Sequence, residues 1–239
     1  MRTLVAVAIL LASSLLAPAQ VGLPWPGPGA FAAPLSPQLR ATNSVVGTGS
    51  SLTINLPTGS QTGDFAVVLV GHGFSVNTIT GYGTCCWTLM YQDVGAQYVN
   101  GGGWYKTLTS ADVSNGSITF NFSGSYEGVV AMATFVGATG GARGWLELQS
   151  GTGSFTSPVT GPSVSAVTND SGLYFTMNRG ASTDTVNRGT LKETQNNGAN
   201  ASGVLYFETI SSTGTVTPTF SYTGTLGPGY VVWNVIVKP

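Results

Sequence analysis

Acid–base chemistry near neutral pH draws first on histidine, and this chain has one, His72, in Gly71-His72-Gly73 directly after the apolar run Phe65 to Val70. A serine nucleophile needs a histidine to take its proton. No serine stands in a G-x-S-x-G turn, and no HExxH, P-loop or GxGxxG occurs. A lone histidine in a glycine loop after a core strand reads as a polar surface or turn residue. Glycoside hydrolysis asks instead for two carboxylates about 5 to 9.5 Å apart, one of them kept protonated. Glu127, Glu147, Asp93 and Glu208 are the candidates, because Asp64 in Gly-Asp and Asp112 in Ala-Asp read as turn residues that bond their own backbone. No motif joins any two of the four. The expectation is therefore no catalytic residue, no cofactor and no enzyme activity.

Binding chemistry has more material. Tyr82, Trp87, Tyr91, Tyr98, Trp104 and Tyr105 fall within one segment, and aromatic faces beside amides and carboxylates can stack on sugar rings. Trp87 and Trp104 read as core residues packed between sheets. Tyr82 and Tyr98, next to Gly and Asn, read as the exposed pair and the candidate glycan contacts. Calcium would need clustered oxygens, as at Asn169-Asp170 or Asp184 with Asn187, but neither pair has EF-hand or repeat spacing. The two cysteines, Cys85 and Cys86, are adjacent and form no CxxC, so with a lone histidine no metal site is expected. Neighbouring Cα atoms lie about 3.8 Å apart, short of the roughly 4.4 to 6.8 Å of ordinary disulfides. The pair reads as two small buried residues at a strand entrance, with a strained vicinal bridge as the alternative.

The composition narrows the classes further. Of 239 residues only 7% are charged, against 42% hydrophobic, and the net charge is −1 with the charges scattered singly. Such a chain folds, but it has no basic stripe to neutralise phosphates, which excludes nucleic acid as a partner. A surface covered by Ser, Thr, Asn and Gln suits extracellular β proteins and faces buried in assemblies.

Three segments follow. Residues 1–19 are an apolar leader: Met1 and Arg2 precede the run Leu4 to Leu16, then Ala17-Pro18-Ala19 has the form of a secretory cleavage site. At about 13 residues the run is short for a membrane span of about 20. It reads as a signal or, if retained, as an apolar arm docked into a neighbour or a membrane. Residues 20–43 form a Pro/Gly-rich linker or arm, with prolines at 24, 26, 28, 34 and 37 favouring extended chain. Trp25 and Phe31 are its candidate anchors for assembly.

Residues 44–239 are the folded body. In Ser117 to Phe122, Ile118, Phe120 and Phe122 alternate with polar residues, the period of a half-buried strand. The runs 65–70, 128–136 and 230–237 are almost continuously apolar, as in strands covered on both faces. Further strands are expected at 51–56, 87–92, 98–107, 145–149, 163–167, 172–178 and 203–210, with one short helical turn near Ser110 to Val113. This is an all-β, two-sheet antiparallel sandwich, jelly-roll-like, preceded by the extended arm. A faint echo of residues 46–70 in 150–175 suggests two related halves.

Gly63-Asp64 before FAVVLV, Trp87-Thr88-Leu89, Trp104-Tyr105-Lys106 with Ala111-Asp112-Val113, then ITFNFSGS and VVAMATFVG, and a last strand closed by Val237-Lys238-Pro239 carry a resemblance. Over about 45–239 the chain resembles a β-sandwich domain recurrent in tailed-phage structural proteins and in secreted bacterial proteins. It departs from that pattern at Gly83-Thr84-Cys85-Cys86, where such domains carry a Pro/Ser-Gly turn. The resemblance, with the low charge and the arm, implies a non-enzymatic structural or surface protein, extracellular on a virion or secreted. As a decoration, tail or fibre component its partners would be other copies of itself or other virion proteins. The alternative is a secreted carbohydrate-binding or adhesin-like module whose partners are cell-surface glycans. A polysaccharide hydrolase or lyase on the same fold is the weaker alternative.

Overall fold

A computed structural model describes residues 35–73, 79–80, 86–93, 99–139, 141–150, 156–180, 182–197, 201–224 and 227–239. Tyr82, Tyr98, Trp25, Phe31 and Cys85 lie outside them. The strands are β1 (Gln38–Asn55), β2 (Phe65–Gly73), β3 (Ile79–Thr80), β4 (Thr88–Asp93), β5 (Val99–Thr107), β6 (Ser117–Val136), β7 (Ala142–Ser150), β8 (Val159–Thr160), β9 (Val164–Ala166), β10 (Ser171–Asn178), β11 (Ser182–Val186), β12 (Thr190–Asn196), β13 (Ser202–Thr209), β14 (Gly214–Val216), β15 (Thr219–Gly224) and β16 (Gly229–Val237). The helix α1 (Ser110–Asn115) falls where the short helical turn is expected.

Among the described strands every pairing is antiparallel. One sheet runs β1-β6-β2-β5-β4, with β3 also beside β6, and the other runs β12-β13-β10-β16-β7. Two small sheets, β11-β15-β8 and β14-β9, complete the described strands. The two-sheet antiparallel sandwich read from the patterning is thus present. It differs from a jelly roll in its connections: residues 38–136 build the first sheet and 142–237 the second, so the chain changes sheets between β6 and β7 rather than at every strand.

The apolar runs owe their continuity to burial on both faces. Along β2, Phe65, Val67 and Leu69 enter the core between the sheets, while Val68 and Val70 enter a second core on the sheet's other face. Along β16, Val231, Trp233 and Val235 face the first core, and Tyr230, Val232 and Ile236 face a third, shared with Val186, Phe220 and Tyr222 of β11 and β15. The long β1 and β6 stay paired through a bulge between Gly49 and Ser51, which increases the local twist. Beyond it Leu52, Ile54, Ile118 and Phe120 close over the second core. Trp104 is fully buried in that second core rather than between the sheets, where Trp233 stands instead. Trp87 is half-buried against the same outer core, with the Lys106 ammonium 5.7 Å from its ring centre.

The turn readings of two carboxylates hold. Asp64 accepts from the Gln61 backbone N–H at 2.7 Å and pairs with Arg40 at 2.7 Å. Asp112 completes a capping box with Thr109 at the start of α1 and receives Lys106 Nζ at 2.8 Å, both ends of that pair being buried.

Candidate functional site

The two sheets meet differently along their two sides. At the β1–β12 side, Thr42 Oγ1 donates to Glu193 Oε1 at 2.5 Å and Ser44 Oγ to Oε2 at 3.0 Å. Gln195 Nε2 adds a bond to Ser44 Oγ at 2.9 Å. That seam is latched by polar side chains. The other side is bounded by β4 and β7, each the last strand of its sheet, and carries a groove of mixed polar and apolar lining.

Local sequence makes the groove. Along β7, Ala142, Gly144 and Leu146 point inward and are buried, so Arg143, Trp145 and Glu147 point outward. Trp145 is 53% exposed and its ring lies 5.4 Å from that of Tyr91 on β4. A bulge between Leu89 and Tyr91 breaks the pairing of β4 with β5. Neighbours on a regular strand face opposite ways, but through this bulge Met90 and Tyr91 both pack against the core between the sheets, and Leu89 is left 49% exposed. A shallow cavity of about 320 Å³ is lined by Leu89, Met90, Tyr105, Arg143 and Trp145. Tyr105 also borders a larger one of about 560 Å³ with Phe65, Cys86, Lys106, Thr109 and Gly141. Aromatic walls with a few polar groups can hold a sugar face or a partner side chain. Farther along β7, outside the lining of either cavity, desolvation raises the Glu147 carboxyl above its ordinary range.

The sequence-derived candidates fare unevenly. His72 is not in a loop: it is a fully buried member of β2, stacked on Phe122 with ring centres 4.0 Å apart. Burial lowers its pKa to about 4, against a raising bond with the Gly49 backbone, so the imidazole is neutral at pH 7. The glycines that suggested a loop serve close approach instead, since a Cβ on Gly71 would reach 3.0 Å from Met177 Cγ in the facing sheet. Cys86 is exposed on the larger cavity, with φ of 87°, which corrects its reading as a buried residue.

Glu208 receives Arg188 at 2.7 Å and the hydroxyl of Tyr174, whose pKa burial and Glu208 together push upward. Glu127 lies on β6, while Asp93 and Glu147 lie on the edge strands β4 and β7. Among the described residues no group of three or more His, Cys, Asp or Glu side chains gathers as metal ligands. Asn187 Oδ1 accepts from the Thr219 N–H at 2.8 Å. Asp170 binds Lys238 at 2.6 Å and caps the turn at Val167. Trp145 was legible only through phase, as the aromatic out of step with Leu146 and Leu148. No helix among the described residues is long and apolar enough to cross a membrane. No protein-family model, curated protein or solved structure matches the chain.

Proposed function

We propose that this chain is a non-enzymatic structural protein of an extracellular assembly, a decoration, tail or fibre component of a virion, and that the β4–β7 groove is a contact face of the assembly. The observation that carries this reading is the exposed pair Trp145 and Leu89 on two open sheet edges. An unlatched apolar edge invites coverage by another chain. The 7% charged composition points the same way. The spending of His72 on a core stack and of Glu208 on Arg188 and Tyr174 favours packing over catalysis. The partners are then copies of the chain or other proteins of the particle. Intact mass with light scattering on material from the native source tests this: a large particle holding this chain is expected, and Trp145→Glu should dissociate it. A monomer at native concentration overturns it.

The exposed Trp145 beside Tyr91 and Arg143 favours a second reading, a secreted module that stacks on glycans. That reading predicts a monomer that binds immobilised glycans and loses them with Trp145→Ala.

A further inference from the structure

Among the described strands β7 has β16 on one side and no strand on the other. Residues of both its faces line the cavity of about 320 Å³, Ala142 and Gly144 from the inner face and Arg143 and Trp145 from the outer. The cavity therefore runs along the free edge of the strand rather than under one face. An open edge is a template on which another strand can pair.

The order of side chains along that edge says which strand fits. Arg143, Trp145 and Glu147 are all exposed, and residues two apart on a strand share a face. Trp145 thus stands midway between one positive and one negative charge. In a chain with eight Lys and Arg and nine Asp and Glu, the described ion pairs are Arg40 with Asp64, Lys106 with Asp112, Arg188 with Glu208 and Lys238 with Asp170. Arg143 and Glu147 belong to none of them. Charges on an edge strand ordinarily repel a like strand. Here the order of the signs does the reverse: turned end for end about Trp145, the strand lays Arg143 opposite Glu147 and Glu147 opposite Arg143. On the inner face the same turn sets Gly144 opposite Leu146, a missing side chain against a large one. A parallel partner in register would put like charges together instead.

We propose that β7 pairs antiparallel with the β7 of a second copy, about a two-fold axis through Trp145, with two Arg143–Glu147 ion pairs across the interface. This names the partner at the β4–β7 edge and rests on the reading of that edge as an assembly contact. Such a contact is self-complementary and closes on itself, so a particle larger than a dimer uses a further surface of the chain.

The test is sedimentation of the full chain over a range of concentrations at low ionic strength. Arg143→Glu and Glu147→Arg each turn both ion pairs into repulsions, and each alone should weaken self-association by about tenfold or more. Mixing the two variants should recover it, since each then meets its complement, and so should the double exchange in one chain. Loss in the single variants without recovery in the mixture overturns the two-fold pairing and leaves β7 a contact with some other surface. Dissociation by Trp145→Glu with both charge variants associating like wild type does the same. A wild-type chain that is monomeric throughout, with or without glycan binding, overturns the pairing and the assembly reading together. Should a charge-reversed chain not fold, salt and Glu147→Gln decide. Wild-type association should weaken between about 0.05 and about 0.5 M NaCl and Glu147→Gln should lose that dependence, whereas association indifferent to salt overturns the pairing.

Discussion

Trp233 of β16 stands over Gly103 of β5 in the opposite sheet, so closely that a Cβ on Gly103 would lie 2.8 Å from the indole Cη2. The same Cβ would meet Met90 at 3.0 Å and Leu69 at 3.1 Å. The missing side chain on one sheet is the seat for the largest side chain of the other, and the spacing between sheets is set there. Gly103→Ala should therefore destabilise by about 1–3 kcal/mol through overpacking. Trp233→Ala should cost about 3–5 kcal/mol by leaving a cavity. The double variant should lose less than the sum, because the alanine at 103 meets no indole. Urea midpoints at constant m-value check all three.

His72 and Asp184 pull acid stability in opposite directions. The folded pKa of His72, about 4, lies below its ordinary 6.5, so on acidification the unfolded chain takes that proton first. Its contribution is whole above pH 6.5 and is lost as the pH falls toward about 4, on the order of 3 kcal/mol. Asp184 is raised from 3.8 to about 6, chiefly by burial, so there the folded chain takes the proton first. The stability it subtracts above pH 6 returns as the pH falls toward 3.8. Asp184→Asn should steepen the acid loss, and His72→Gln should flatten it. Chemical unfolding from pH about 4 to 7.5 measures both slopes.

Asn234 fastens the outer strands to the second sheet. Its side chain is fully buried, and Nδ2 donates to the carbonyls of Pro162 and Val216, each at 2.8 Å. Asn234→Leu strands both carbonyls and should cost about 2–4 kcal/mol. The β9–β14 pair should lose amide-exchange protection before β10 and β16 do.

Trp145 offers the opposite case. At 53% exposure, with one aromatic neighbour, its replacement by Ala should change stability by about 1 kcal/mol or less. An unchanged melting curve with altered particle size or altered glycan retention would mark Trp145 as a contact residue. A large drop in Tm would mark it as core.

Legibility from sequence tracked how many apolar faces a strand has. β2, β6 and β16 were plain because both of their faces are covered. β11 was not, since its buried positions are Ser182, Asp184 and Val186: the alternation is present but is written in polar residues. β12 and the first half of β1 stay partly exposed along their length, so residues 38–43, read with the linker, run in the sheet without an apolar signal. Trp87 and Trp104 were recognised as packing residues but assigned to the wrong side, because a strand buried on both faces gives no clue to which face looks at the other sheet. His72 was misplaced by its flanking glycines, which answer to the close approach of Met177 at Gly71 and of the Arg179 side chain at Gly73 rather than to a turn. The groove depends on a bulge and on the meeting of two edges far apart in the chain, neither of which a local pattern encodes.

The single passage from one sheet to the other has a consequence for biosynthesis. A ribosome releases residues 38–136 first, and these suffice to pair β1 through β6. The nascent sheet then holds Phe65, Val67, Leu69, Val129, Ala131 and Phe135 toward a companion not yet translated. Until β10 and β16 emerge, that face is a sticky surface in a crowded compartment. The interval between the two halves is when this chain most needs a chaperone, and a pause in translation after β6 would lengthen it.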